Sequence, residues 1–169
     1  MLLALSSAGC GYALAGRGSF LPEYIRTIGI PPVANATTFL RVEQVLTEKI
    51  RAEFIGRGKY VVVSTPAGAH AVLTAAVTGF TVQPVGFTEQ QLASRYLITL
   101  TMRVEFTDAT TNEVLWSNAS LTFREEYDLS TRSNTALEGA GFLDQERPAF
   151  DRIAGDVART VVSAILEAF

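Results

Sequence analysis

The run Tyr96–Thr107, YLITLTMRVEFT, decides the fold class. Tyr96, Ile98, Leu100, Met102, Val104 and Phe106 alternate without a break with Leu97, Thr99, Thr101, Arg103, Glu105 and Thr107. Successive side chains of a strand point to opposite faces, so this run is a strand with one buried face and one wetter face. Asp108–Glu113 makes a turn. Leu115, Ala119, Leu121, Phe123 and Tyr127 then continue an antiparallel partner, with Asn118, Ser120, Thr122, Arg124 and Glu126 opposite. Trp116 falls on the polar side of that register, which puts it either at a bulge or against a partner.

Before this hairpin the chain alternates strand and helix signals. Tyr24–Ile30 is β-branched and stopped by Pro31-Pro32, which reads as a strand followed by a loop through Thr37. Phe39, Val42, Leu46, Ile50 and Phe54 recur at helical spacing, with Arg41, Glu43, Glu48, Arg51 and Glu53 around the rest of the cylinder. That is an amphipathic helix, capped by Thr37 or Thr38 and closed at Gly56 and Gly58. Lys59–Ser64 is a short strand, Thr65–Gly68 a turn and Ala71–Val82 a longer strand, with Val85–Ser94 a polar loop ahead of the central hairpin. Asp128–Arg147 is long and polar. Pro148 then opens a last helix whose stripe is Phe150, Ile153, Val157, Val161 and Ile165, with Arg152 and Asp156 as an i,i+4 pair. Two amphipathic helices need one apolar sheet face to cover. The expected fold is therefore α+β, a two-layer sandwich with both helices on one face of a mixed, mainly antiparallel sheet, in the order β-α-β-β-β-β-α.

Composition narrows function by exclusion. The chain has 169 residues, room for one domain with a real core. Only 18% of residues are charged, and mean hydropathy is +0.23. Either part of the surface is covered by a partner, or small apolar residues raise the index. A net charge of −3 provides no field for nucleic acid, and no nucleic-acid partner is expected. No run of 18 apolar residues offers a membrane-spanning helix. One Cys and one His, His70, argue against an internal disulfide or a Cys/His metal centre, and no cofactor is expected. Glycine pairs at Gly16-Arg17-Gly18 and Gly139-Ala140-Gly141 lack the strand–loop–helix context of a phosphate loop. Glu125 and Glu126 are strand neighbours and point to opposite faces, so they cannot act on one bond. An enzyme is not expected; a catalytic role for His70 in an open pocket is the most remote alternative.

The first residues, MLLALSSAG and then Cys10, have the order of a secretory signal's end: an apolar stretch, small residues, a cleavage point. No Lys or Arg precedes the apolar part and that part is short, so the start codon is expected upstream. Residues 1–9 are read as a signal remnant, 10–23 as a lipidated tether and 24–169 as a single domain. Ala8-Gly9-Cys10 resembles the lipobox of bacterial lipoproteins, with Ser7 where that motif usually has Leu, and it makes Cys10 the candidate lipid anchor. The spacing Cys10-Gly11-Tyr12-Ala13-Leu14-Ala15-Gly16, followed by Leu21-Pro22, is similar to the mature start of the lipopolysaccharide-assembly lipoprotein family, LptE. The similarity continues through Ile28-Gly29-Ile30-Pro31 with Asn35 and Thr37, the Tyr96 strand, the Trp116–Tyr127 strand and the last helix.

The resemblance implies two helices on one face of a mixed sheet and a protein that does no bond chemistry. It implies an outer-membrane location on the periplasmic side, attached through the N-terminal lipid. The implied partners are an LptD-like β-barrel translocon, which such proteins plug and help assemble, and lipopolysaccharide. Relatives place a basic residue in the loop before the third long strand, for lipid phosphates. Here Val85–Ser94 carries none, and Arg95 at its edge is the candidate lipopolysaccharide contact. Thr88, Trp116 and Asn134 are the candidate partner-interface positions. The rival reading is a periplasmic adaptor lipoprotein of another secretion or envelope-assembly system.

Overall fold

The computed structural model describes residues 21–87, 89, 93–128 and 147–168. Cys10, Thr88, Asn134 and nearly all of the 10–23 tether and the Asp128–Arg147 segment lie outside them. The elements are β1 (Thr27–Gly29), β2 (Ala34–Asn35), α1 (Val42–Gly56), β3 (Val61–Val63), β4 (Ala71–Phe87), β5 (Ala93–Asp108), β6 (Val114–Asp128) and α2 (Arg147–Leu166). This is the expected order with one addition, the two-residue β2, inside what reads as a loop. Both helices cover one face of the sheet, as expected.

Strand order is β3-β1-β4-β5-β6, with β2 also on β4. β1 pairs in parallel with both β3 and β4, and β2 in parallel with β4, while β4–β5 and β5–β6 are antiparallel. The sheet is thus properly mixed, and β3 to β6 are not one continuous meander. β1 sits between β3 and β4 because β1-α1-β3 is a crossover unit, which parallel pairing demands.

The core lies between the inner sheet face and the helices. Ile98, Leu100, Met102, Val104 and Phe106 are all fully buried, as the alternation in β5 predicts. They meet Leu46, Ile50 and Phe54 of α1 and Ile153, Val157, Val161 and Ile165 of α2 in one cluster. Phe80 of β4 joins the layers, its ring 4.6 Å from Phe39 and 5.9 Å from Phe150. On the open face, Thr99 and Thr101 are half-buried and Arg103 and Glu105 exposed.

Three local expectations are corrected. The first helix begins later than its stripe, because Asn35 organises the preceding turn. Asn35 Oδ1 accepts from the Thr37 amide at 2.9 Å, and Nδ2 donates to the Phe39 carbonyl at 2.7 Å and to Glu43 at 2.8 Å. Thr37 and Thr38 therefore belong to a turn, and the residue before α1 is Arg41 at φ 68°, with no side-chain cap. Next, β4 runs on to Phe87 and β5 starts at Ala93, so the loop expected over Val85–Ser94 shrinks to a hairpin tip. Bulges between Pro84 and Phe87 let Pro84 sit within the paired strand. Lastly, Arg152 pairs with Glu125 of β6 at 3.1 Å and Asp156 with Arg159, in place of the expected Arg152–Asp156 pair.

Candidate functional site

The two ends of the long sheet differ in what they carry. At one end the chain arrives through Leu21–Arg26, β1 and β3 begin, and β5 turns into β6. Tyr24 donates its hydroxyl to Asp108, which also accepts from the amides of Thr110 and Thr111 at 2.6 and 3.1 Å. The Tyr24 bond holds the Asp108 carboxyl below the usual carboxylate range, with the Thr110 amide helping. The same bond raises the Tyr24 phenol. This contact fixes the arriving chain to the central hairpin. An open groove of about 840 Å³ lies beside it, lined by Leu21, Pro22, Glu23, Ile25, Arg26, Lys59, Tyr60 and Val61. Its lining contains no Ser, Cys or His nucleophile–base pair.

The other end is the β4–β5 tip. β5 has 16 residues, so the two ends lie about 50 Å apart at the usual strand rise. Here Val85 and Phe87 are exposed, and the rings of Tyr96 and Tyr127 stack at 5.7 Å. Arg95 stands on the open face, opposite Gly86 on β4 and Asp128 on β6. Its guanidinium reaches Glu126 at 3.5 Å. A Cβ on Gly86 would lie 3.0 Å from Arg95 Nε and 3.1 Å from Arg95 Cβ, so the missing side chain lets the arginine lie close over the tip. The chain leaves the sheet at Asp128 beside Arg95, toward the segment that holds Asn134. Thr88 is one residue beyond the end of β4.

Trp116 is elsewhere. β6 is bulged at Ala119–Ser120, opposite Arg103, where Asn118 Oδ1 accepts from the Ser120 amide at 2.9 Å. The extra residue reverses the side-chain parity, so Trp116 pairs with Phe106 and packs half-buried on the core face. This corrects its placement on the polar side. Leu115 is left unpaired in a second bulge. Trp116 is therefore near the Asp108 end, and the structure does not bring it together with Arg95. Glu125 and Glu126 do point to opposite faces, held by Arg152 and Arg95 respectively.

His70 is a structural residue. Its Nδ1 accepts the Thr27 amide at 3.1 Å, while its own backbone joins Thr27 and Ala109. That bond ties β1 to the start of β4 and occupies the ring nitrogen a general base would need. The sequence hid the Glu126–Arg95 and Tyr24–Asp108 pairs, because both depend on register across strands.

The open face between the two ends is hydroxyl-rich. Thr74, Thr81, Thr99, Thr101, Thr107 and Thr122 share it with Arg103, Arg124 and Glu105. Thr101 and Thr122 hydroxyls meet at 3.4 Å, and Thr78 donates to the Thr101 carbonyl at 3.3 Å. Among the described residues no group of three His, Cys, Asp or Glu side chains could hold a metal, and no helix is long and apolar enough to cross a membrane.

Comparisons with known proteins agree with this architecture. A protein of Xanthomonas campestris is 13% identical, with 85% of each chain covered and a TM-score of 0.60. PelC of Paraburkholderia phytofirmans, solved as a dodecamer, is 17% identical over 89% of this chain and 96% of its own, with a TM-score of 0.55. The rare lipoprotein B of Shewanella oneidensis is 9% identical over 83% and 93%, with a TM-score of 0.51. At these identities the likeness is one of fold. No curated protein matches the sequence. The family model described as lipopolysaccharide-assembly, LptE, matches residues 25–165, from the residue before Arg26 to the last turn of α2. The chain therefore belongs to the LptE family of lipopolysaccharide-assembly lipoproteins.

Proposed function

We propose that this protein is an outer-membrane lipoprotein, acylated at Cys10, that assembles with an LptD-like β-barrel translocon, plugs its lumen and helps insert lipopolysaccharide at the cell surface. The observation that carries the reading is the separation of the two sheet ends. The tethered end, locked by Tyr24 and Asp108, faces one way, and the Arg95 tip lies about 50 Å off. An anchored domain of that length holds one end at the membrane while the other reaches along a barrel. The hydroxyl-rich open face suits a polar lumen, since the interior of such barrels is polar. Thr88, Asn134 and Arg95 then meet the barrel, with Arg95 toward lipid phosphate, and Trp116 offers a further contact. Two or more acyl chains on Cys10 would exceed the marginal binding of one chain.

Affinity capture from detergent-solubilised outer membranes, with mass spectrometry of co-purifying barrels, tests the partner. An LptD-like barrel as the dominant product supports it; enrichment of a different secretion system's components would favour an adaptor role. Labelling with a palmitate analogue should mark wild type and not Cys10→Ser, and equal labelling of both would remove the anchor. Arg95→Asp should weaken lipopolysaccharide binding more than Arg152→Asp, which sits against Glu125 on the helix side.

A further inference from the structure

We propose that Glu126 is an internal competitor for the anion that Arg95 binds, so that a phosphate must displace this carboxylate to occupy the site. The inference rests on the reading of Arg95 given above. Arg95 lies between two features of neighbouring strands. On β4, Gly86 leaves open the space beside Arg95 Nε, from which a side chain would have displaced the guanidinium. On β6, Glu126 takes one guanidinium nitrogen at 3.5 Å, and Asp128 stands directly across. A carboxylate and a phosphate oxygen make the same charge-assisted bond to an arginine fork, so one excludes the other at that nitrogen.

The geometry also bounds the strength of the competition. Arg95 and Glu126 side chains are 54% and 57% exposed, and the contact is long. An exposed pair of this kind is worth up to about 1 kcal/mol, which corresponds to no more than about a fivefold handicap on affinity. Glu126 therefore tempers the site without closing it. A weakly held arginine suits a site that must pass its ligand on. Arg124, two residues before Glu126 on the same open face, has no ion pair among the described residues and is the alternative cation that Glu126 could influence.

The test uses the full chain and bis-phosphorylated lipid A in detergent micelles, with dephosphorylated lipid A as the comparison. Glu126→Gln should tighten binding of the phosphorylated lipid by about two- to fivefold and leave the dephosphorylated lipid unchanged. Unchanged or weaker binding would overturn the proposal, as would equal tightening for both lipids. In an Arg95→Ala background the gain from Glu126→Gln should vanish; if it persists, Arg124 is the cation concerned and the proposal is wrong. Arg95→Ala alone separates the two levels. If it weakens phosphorylated-lipid binding while Glu126→Gln has no effect, only the competitor fails. If it changes nothing, Arg95 is not a phosphate contact and both fall.

Discussion

The two faces of β5 are built from neighbouring residues and do different work. Ile98, Leu100, Met102, Val104 and Phe106 lose all contact with water beneath two helices. Leu97, Thr99, Thr101, Arg103, Glu105 and Thr107 remain on an open face of hydroxyls and charges. The inner set needs only apolar volume at every second position to specify the layer it joins. The outer set contributes little to folding and is where a partner can be met. A buried and an open surface are thus separated by a single residue step along one strand.

Substitutions on either side of that step should differ sharply. Leu100→Ala removes a fully buried side chain and should cost about 2–5 kcal/mol in urea unfolding. Gly29→Ala follows. Its Cβ would sit 2.8 Å from the Thr65 carbonyl oxygen and 3.2 Å from Pro66 Cα, both backbone, so about 1–3 kcal/mol is expected. Thr101→Ala, on the open face, should cost under about 1 kcal/mol. Similar losses for Leu100→Ala and Thr101→Ala would abolish the division between the faces.

The inner half of this division is what the sequence makes legible. Unbroken alternation in Tyr96–Thr107 and the helical stripes of Phe54 and Val161 specify two helices on one sheet face, because burial follows periodicity. The open half is less legible because it depends on register. Each β6 bulge moves the pairing by one residue, so Arg95 lies opposite Asp128 where an unbroken hairpin would put Glu126 opposite it. The first bulge also carries Trp116 from the expected polar face to the core face. It is set by Asn118 bonding to the Ser120 amide, a local choice no hydrophobic pattern reports. The start of α1 escaped for a similar reason: the Asn35 side chain competes with the helix for the chain around Thr37.

A smaller effect sharpens the comparison at the Asp108 end of the sheet. Asp108 is held below its usual pKa chiefly by the Tyr24 hydroxyl. A carboxyl depressed in the folded state contributes stability that is present above its unfolded value, about 3.9, and is lost as pH falls through the folded value. Tyr24→Phe removes the main cause, so wild type should exceed the variant in urea midpoint at pH 7 by more than it does in acid below the unfolded value. A lead of the same size at both pH values would mean that the contact is not electrostatic.

The central claim is that the Arg95 tip, and not only the tethered end, meets the barrel. Photo-crosslinking residues placed in turn at Thr88, Arg95 and Asn134 in cells test it most directly. The account predicts that all three positions capture one LptD-like outer-membrane barrel protein. Capture of nothing specific from any of them, with the protein folded and still membrane-attached, would contradict the translocon role and leave an envelope lipoprotein whose tip faces the periplasm.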